Sequence, residues 1–258
     1  MPILQQLEDY IRARGRVVVA FSGGVDSALL AYVARKTLGS KNMLAITGDS
    51  LSLPSRDRDY CADFCRKYDI PHQFMPTFEF NDPNYVSNPA NRCFFCKEEL
   101  YKRLKEFCAT LGYAHILDGT NVTDLKGHRP GFAALKQEEI TAPYVALEIN
   151  KVQIREMARF LKLEAAEKPQ SACISSRVPT GTPINMEAIQ KIDAAENFLK
   201  DLGMRQPRVR YHHDLARLEL KKEEWAFCLE QRKKIQEGLK RLGFNHVTLD
   251  LKDYDREG

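Results

Sequence analysis

Three groups of residues in this 258-residue chain have types and spacings that could do chemistry. The first is Ser22-Gly23-Gly24-Val25-Asp26-Ser27, which follows the β-branched run Arg16–Phe21 and precedes a helical pattern, Ala28 to Leu38. Paired glycines let a backbone approach an anion closely, and a helix start offers unpaired N–H groups and a positive dipole end. The two serines add hydroxyl donors. Asp26 is the informative member, because a carboxylate beside a phosphate cradle repels its ligand unless it holds a magnesium ion or fixes the loop. The spacing lacks the terminal Gly-Lys-Ser/Thr that places a lysine over the outer phosphates of a Walker loop. Such a loop suits a grip on pyrophosphate while the α-phosphorus is attacked.

The second group is cysteine-based. Cys93 and Cys96 form a Cys-x-x-Cys within Asn91–Lys97, and Cys173 lies in Ser171-Ala-Cys-Ile-Ser-Ser-Arg177. A spacing of two lets both thiolates reach one metal centre from a single turn. Three thiolates leave one iron of a 4Fe–4S cluster without a protein ligand. A redox pair or a zinc knuckle are the alternatives that spacing leaves open. Cys61 and Cys65, four apart on a predicted helix, read as core thiols, as do Cys108 and Cys228.

The third group is polar and charged. Asp118-Gly119-Thr120-Asn-Val-Thr-Asp124 follows a predicted strand, and His128-Arg129-Pro130-Gly131 sets an arginine in a turn where it could meet phosphate or carboxylate. Farther on, Arg208-Val-Arg210 places two guanidinium groups on one strand face.

The elements that must position these groups alternate. Strands are predicted at Arg16–Phe21, Met43–Gly48, His72–Met75 and His115–Asp118. Helices are predicted near the amino terminus, at Ala28–Leu38, at about Ser55–Tyr68 and around Lys97–Leu111. That order implies an α/β fold with a doubly wound parallel sheet, whose ligand crevice lies at the carboxyl ends of the strands. Turn formers at Val178–Pro183 mark the expected boundary between a domain of residues 1–180 and a small α+β domain of residues 181–258. In the second, helices are predicted at Met186–Leu202 and Trp225–Leu242, with strands at Val209–His212, Ala216–Leu220 and His246–Leu251.

Hydrophobic residues make up 43% of the chain, enough for a core, and the formal net charge of +4 is too small to signal polyanion binding. No apolar run approaches the roughly 20 residues that span a bilayer. The amphipathic amino-terminal stretch has no signal-peptide core. Seven cysteines, an odd number, argue against a disulfide scaffold. A cytoplasmic enzyme is expected.

Together, Ser22–Ser27, Asn91–Lys97, Asp118–Asp124, Arg129-Pro-Gly and Lys168-Pro-x-Ser-Ala-Cys173-Ile-Ser-Ser-Arg177 resemble the LarE family of PP-loop ATP pyrophosphatases over nearly the whole chain. The resemblance implies ATP and Mg2+ as cofactors, with nucleotide bound by Ser22, Gly23, Gly24, Val25, Asp26, Ser27, Thr47, Ser50, Gly119, Thr120 and Arg129. It implies Mg2+ held by Asp26 and Asp124. The substrate would be the small nucleotide pyridinium-3,5-biscarboxylic acid mononucleotide, adenylylated and converted to a thiocarboxylate for the nickel-pincer nucleotide cofactor. Ser176, Arg177, Arg208 and Arg210 would bind it, and Glu196 and Glu219 match acidic residues that could bind metal. Family members either spend the sulfur of a cysteine matching Cys173 or use three cysteines to hold a 4Fe–4S cluster. Cys93, Cys96 and Cys173 match the second type. A homohexamer is implied. A tRNA thiolase with the same loop and cluster is the nearest rival, but the balanced charge of the carboxyl-terminal region does not suit a nucleic-acid partner.

Overall fold

The computed structural model describes residues 1–126 and 130–254. It contains two compact units. The first comprises Met1–Ser50, Asp57–Tyr85 and Asn91–Ser171, and the second Leu51–Arg56, Val86–Ala90 and Ala172 onward.

In the first unit, β1 (Val17–Ala20), β2 (Met43–Asp49), β3 (His72–Pro76) and β4 (His115–Leu117) form one sheet in the order β3-β2-β1-β4, every pairing parallel. Val17 and Val19 turn to one face, against α1 (Pro2–Arg12), α2 (Val25–Leu38) and α8 (Lys151–Phe160). Val18 and Ala20 turn to the other, against Tyr101 and Leu104 of α5 (Arg92–Leu111). Both faces are covered, so β1 reads as an uninterrupted apolar run rather than an alternating one. The chain passes β1, β2, β3 in one direction and then returns to the other side of β1 for β4. The order therefore reverses between β1 and β4, and the loops leaving these two strands flank the crevice where ligands bind in open α/β sheets.

Three helical stretches follow β4: α6 (Pro130–Gln137), α7 (Pro143–Ala146) and α8. Sequence periodicity gave no expectation for them. Yet α8 carries a readable start signal, since the Asn150 side chain accepts from the Gln153 N–H and Gln153 answers the Asn150 N–H, a reciprocal capping box. The remaining short helices of the first half are α3 (Ser55–Lys67) and α4 (Pro83–Val86).

The second unit has a three-stranded sheet. β5 (Arg208–His212) pairs antiparallel with β6 (Leu215–Glu219), and β6 pairs parallel with β7 (His246–Leu249). The helix expected over Trp225–Leu242 is two, α10 (Trp225–Glu230) and α11 (Arg232–Arg241). α11 crosses α9 (Met186–Asp201) so closely that a Cβ on Gly238 would lie 2.1 Å from the Phe198 ring. Only glycine leaves room there.

Candidate active site

The turn after β1 is closed on itself by Ser27. Its Oγ accepts from the Ser22 N–H at 3.2 Å, lies 3.2 Å from Ser22 Oγ and donates to the Gly24 carbonyl at 3.1 Å. Gly23 sits at φ +71°, and a Cβ there would come within 2.8 Å of Cys61 Sγ. Gly24 is the extended residue before α2, so Val25 and Asp26 stand in its first turn, where N–H groups have no helical partner. Cys61 lies beneath the turn as a buried thiol, pushed up to about 11 chiefly by burial, and Cys65 one turn on is pushed up to about 12 for the same reason. Both are inert packing groups.

Asp26 faces a cation that no sequence motif flagged. Lys151 Nζ, at the start of α8, donates to Asp26 Oδ2 at 2.5 Å, and both side chains are largely buried. Burial nevertheless outweighs Lys151, leaving the Asp26 carboxyl above its ordinary value. Asn121 Nδ2 bridges two carboxylates, lying 2.7 Å from Asp124 Oδ2 and 3.4 Å from Asp26 Oδ1. Tyr144 donates to the Asp26 carbonyl at 2.9 Å. A second lysine, Lys168, donates to the Gly23 carbonyl at 3.1 Å, pairs with Asp57 at 3.0 Å and lies over the Tyr60 ring. The phosphate turn thus lacks a Walker lysine in sequence but acquires two lysines in space.

Asp118 closes the other wall. Its Oδ1 accepts the Thr120 N–H at 2.8 Å, and its Oδ2 accepts from Lys97 Nζ at 3.0 Å and Tyr101 Oη at 2.9 Å. Burial pushes this carboxyl up, but Lys97 and the donors from Thr120 and Tyr101 prevail and hold it below its ordinary value. Gly119 backs directly onto the phosphate turn, since a Cβ there would stand 3.0 Å from the Ser27 nitrogen and 3.1 Å from the Asp26 carbonyl carbon. Backbone cannot yield as a flexible side chain can. Gly119→Ala is therefore expected to raise the KM for ATP about tenfold or more, by displacing the turn. Steady-state pyrophosphate release measures this.

Other expected nucleotide residues are placed less directly. Thr47 is buried and its Oγ1 lies 2.8 Å from His72 Nε2, an imidazole held neutral by burial and by Arg58, its pKa lowered to about 4. Ser50 donates to the buried Glu79. Arg129 lies outside the described residues.

In the second unit, Cys173 is half-buried and precedes a tight turn, Ile174–Arg177. Ser176, Arg177, Glu196, Arg208, Arg210 and Glu219 are gathered around that turn. Glu196 takes Arg177 through two bonds, at 2.8 and 3.0 Å, and Arg208 at 3.3 Å, while Arg210 pairs with Glu219 at 2.7 Å. Among the described residues, no group of three or more His, Cys, Asp or Glu is placed to hold a metal ion. The pair Asp26 and Asp124 still fits Mg2+, as two hard oxygen donors linked by one amide beside a phosphate turn. Cys93, exposed, and Cys96, half-buried, share the first turn of α5 and are thiols of a type that binds iron, while the half-buried Cys173 belongs to the second unit.

Comparison with known proteins agrees with this architecture. The NAD synthase family model matches residues 2–83, the segment containing β1, the phosphate turn and α2. An uncharacterised protein of Synechocystis sp. is 38% identical over 97% of this chain and 94% of its own. The pyridinium-3,5-bisthiocarboxylic acid mononucleotide synthase of Lactiplantibacillus plantarum is 32% identical over 92% of this chain and 86% of its own. The chain belongs to the LarE family. It is accordingly an enzyme, an ATP-dependent sulfurtransferase with a PP-loop α/β domain. An NH3-dependent NAD+ synthetase of Chlorobaculum tepidum is 27% identical over 61% of this chain and 58% of its own. No described helix is long and apolar enough to cross a membrane.

Proposed function

We propose that this LarE protein activates a carboxylate of pyridinium-3,5-biscarboxylic acid mononucleotide with ATP and converts it to a thiocarboxylate, a step toward the nickel-pincer nucleotide cofactor. The observation that carries the first half is Asp26, paired with Lys151 at the head of the glycine turn. A substrate carboxylate oxygen attacks the α-phosphorus, the bond to the bridging oxygen breaks, and pyrophosphate leaves. Charge accumulates on that departing group. Lys151 and Lys168 supply positive charge beside the turn, and the first N–H groups of α2 supply directed donors. Asp26 and Asp124 would hold Mg2+, which when bound neutralises phosphate charge. A sulfur nucleophile then attacks the acyl carbon and AMP departs.

Cys93, Cys96 and Cys173 are assigned as ligands of a 4Fe–4S cluster, which when bound supplies transferable sulfide at the iron that lacks a protein ligand. The likeness to the L. plantarum synthase supports the substrate, and the Cys-x-x-Cys spacing of Cys93 and Cys96 with a third cysteine at Cys173 in the sequence supports the cluster. Anaerobically purified protein given ATP, Mg2+ and the dicarboxylated pyridinium mononucleotide should release pyrophosphate and add sulfur mass to the substrate. Absence of pyrophosphate refutes adenylylation. Pyrophosphate formed only with tRNA indicates the thiolase chemistry instead. Loss of sulfur mass from Cys173, in protein that stays colourless after reconstitution, replaces the cluster with the sacrificial route.

A further inference from the structure

The charged residues around Cys173 form a clamp rather than a set of free cations. Arg177 and Glu196 are each 1% exposed and Arg208 is 4% exposed. Glu196 Oε1 accepts from Arg177 Nε at 2.8 Å and from the Val209 N–H at 3.2 Å, while Oε2 accepts from Arg177 Nη2 at 3.0 Å and Arg208 Nη1 at 3.3 Å. The remaining nitrogen of Arg177, Nη1, donates to the carbonyls of Ala172 at 2.6 Å and Cys173 at 2.8 Å, with Ser176 Oγ at 3.0 Å. At the far end of the same turn, Arg210 Nη1 donates to the Ser176 carbonyl at 2.6 Å, held by Glu219. One guanidinium therefore ties the cysteine's own backbone to a carboxylate on α9, and a second fixes the end of its turn.

Burying such a pair costs the hydration of both ions, and apolar replacements often stabilise a fold as well or better. Geometry is what the pair supplies. A planar fork with five donors can bind a carboxylate on one side and two carbonyls on the other, whereas a lysine ammonium concentrates its donors at one point.

We infer that Arg177, oriented by Glu196, is a positioning residue that fixes Cys173 for sulfur delivery, and that it does not itself bind the substrate phosphate. This rests on the function proposed above. It concerns the second half-reaction and leaves ATP activation to the first unit's turn.

The test uses the full chain carrying Arg177→Lys, which keeps the charge opposite Glu196 but loses the fork. Two quantities are read: thiocarboxylate formed per pyrophosphate released, and, in cluster-free protein, the alkylation rate of Cys173 by iodoacetamide without ATP or substrate, followed by peptide mass. The ratio is expected to fall about tenfold or more, as a small misplacement of a reacting group does. Cys173 alkylation should change at least about threefold while exposed Cys93 stays within a factor of about two. A ratio and an alkylation rate like those of the parent protein overturn the inference. So does an equal fall of both products with unchanged alkylation, which marks substrate binding or general damage. If Arg177→Lys does not fold, Glu196→Asp, which retains both charges, is read the same way. If the parent protein releases no pyrophosphate, the proposed function fails, yet the alkylation comparison still decides whether Arg177 positions Cys173.

Discussion

Asp26→Asn is expected to lower ATP-dependent pyrophosphate release at least about 100-fold with the fold intact, because a charge at the departing phosphates acts where electrostatic terms are strongest. The asparagine side chain matches aspartate in size and removes only the anion that Lys151 faces and that a cation would need. The carboxyl lies above its ordinary value because burial outweighs Lys151. Its folded pKa therefore exceeds its unfolded one. The charged form works against stability above the unfolded value, and the penalty is relieved as pH falls through the folded pKa. Substitution removes that penalty at neutral pH but leaves Lys151 without its carboxylate, so thermal stability should change little. Pyrophosphate release at neutral pH, with melting curves of the metal-free parent and variant across pH, checks both statements. Turnover retained by Asp26→Asn refutes the role.

Lys97→Met is expected to have the largest effect on stability. Asp118 has only 9% of its side chain exposed, and losing its cation leaves a buried carboxylate held by Tyr101 and Thr120 alone. Breaking a fully buried pair costs about 3–5 kcal/mol; with 35% of the Lys97 side chain in reach of water, about 2–3 kcal/mol is expected. That corresponds to a fall of roughly 4–12 °C in melting temperature for a unit of this size. The pH dependence carries its own sign. The Asp118 carboxyl is held below 3.8, so its contribution is present above that value and lost as pH falls through the folded pKa. Lys97 is raised above 10.5, the pull of Asp118 and Tyr101 overcoming burial, so its share persists through neutrality and is lost only in strong alkali. The difference between parent and variant should be flat near neutrality and narrow in acid below 3.8. Gly119 follows Asp118 and packs on the Asp26 backbone, so activity should fall with stability rather than independently of it.

Much of the scaffold was legible because its causes are local. Val17–Ala20 is buried on both faces and reads as a continuous apolar run. The glycine turn is marked at Gly23, whose positive φ favours glycine, while Gly24 is the extended residue that enters α2. Where packing decides, the sequence was less explicit. α2 begins at Val25 rather than Ala28, because the turn runs straight into the helix and places Asp26 in its first turn. The segment Trp225–Leu242 divides at Gln231, although its apolar spacing continues.

By itself, then, the sequence determined the alternating strands and helices of the α/β domain and the glycine turn after β1, since each is written in residues within a few positions of one another. Tertiary structure alone decided how charge is distributed. Lys151 reaches Asp26 across 125 residues and Lys168 reaches Gly23 across 145, contacts that only the packing of distant elements creates. It also decided that Arg177 and Arg208 spend their donors on Glu196. A charged side chain's role depends on what it meets once water is excluded, and separation along the chain carries no record of that meeting.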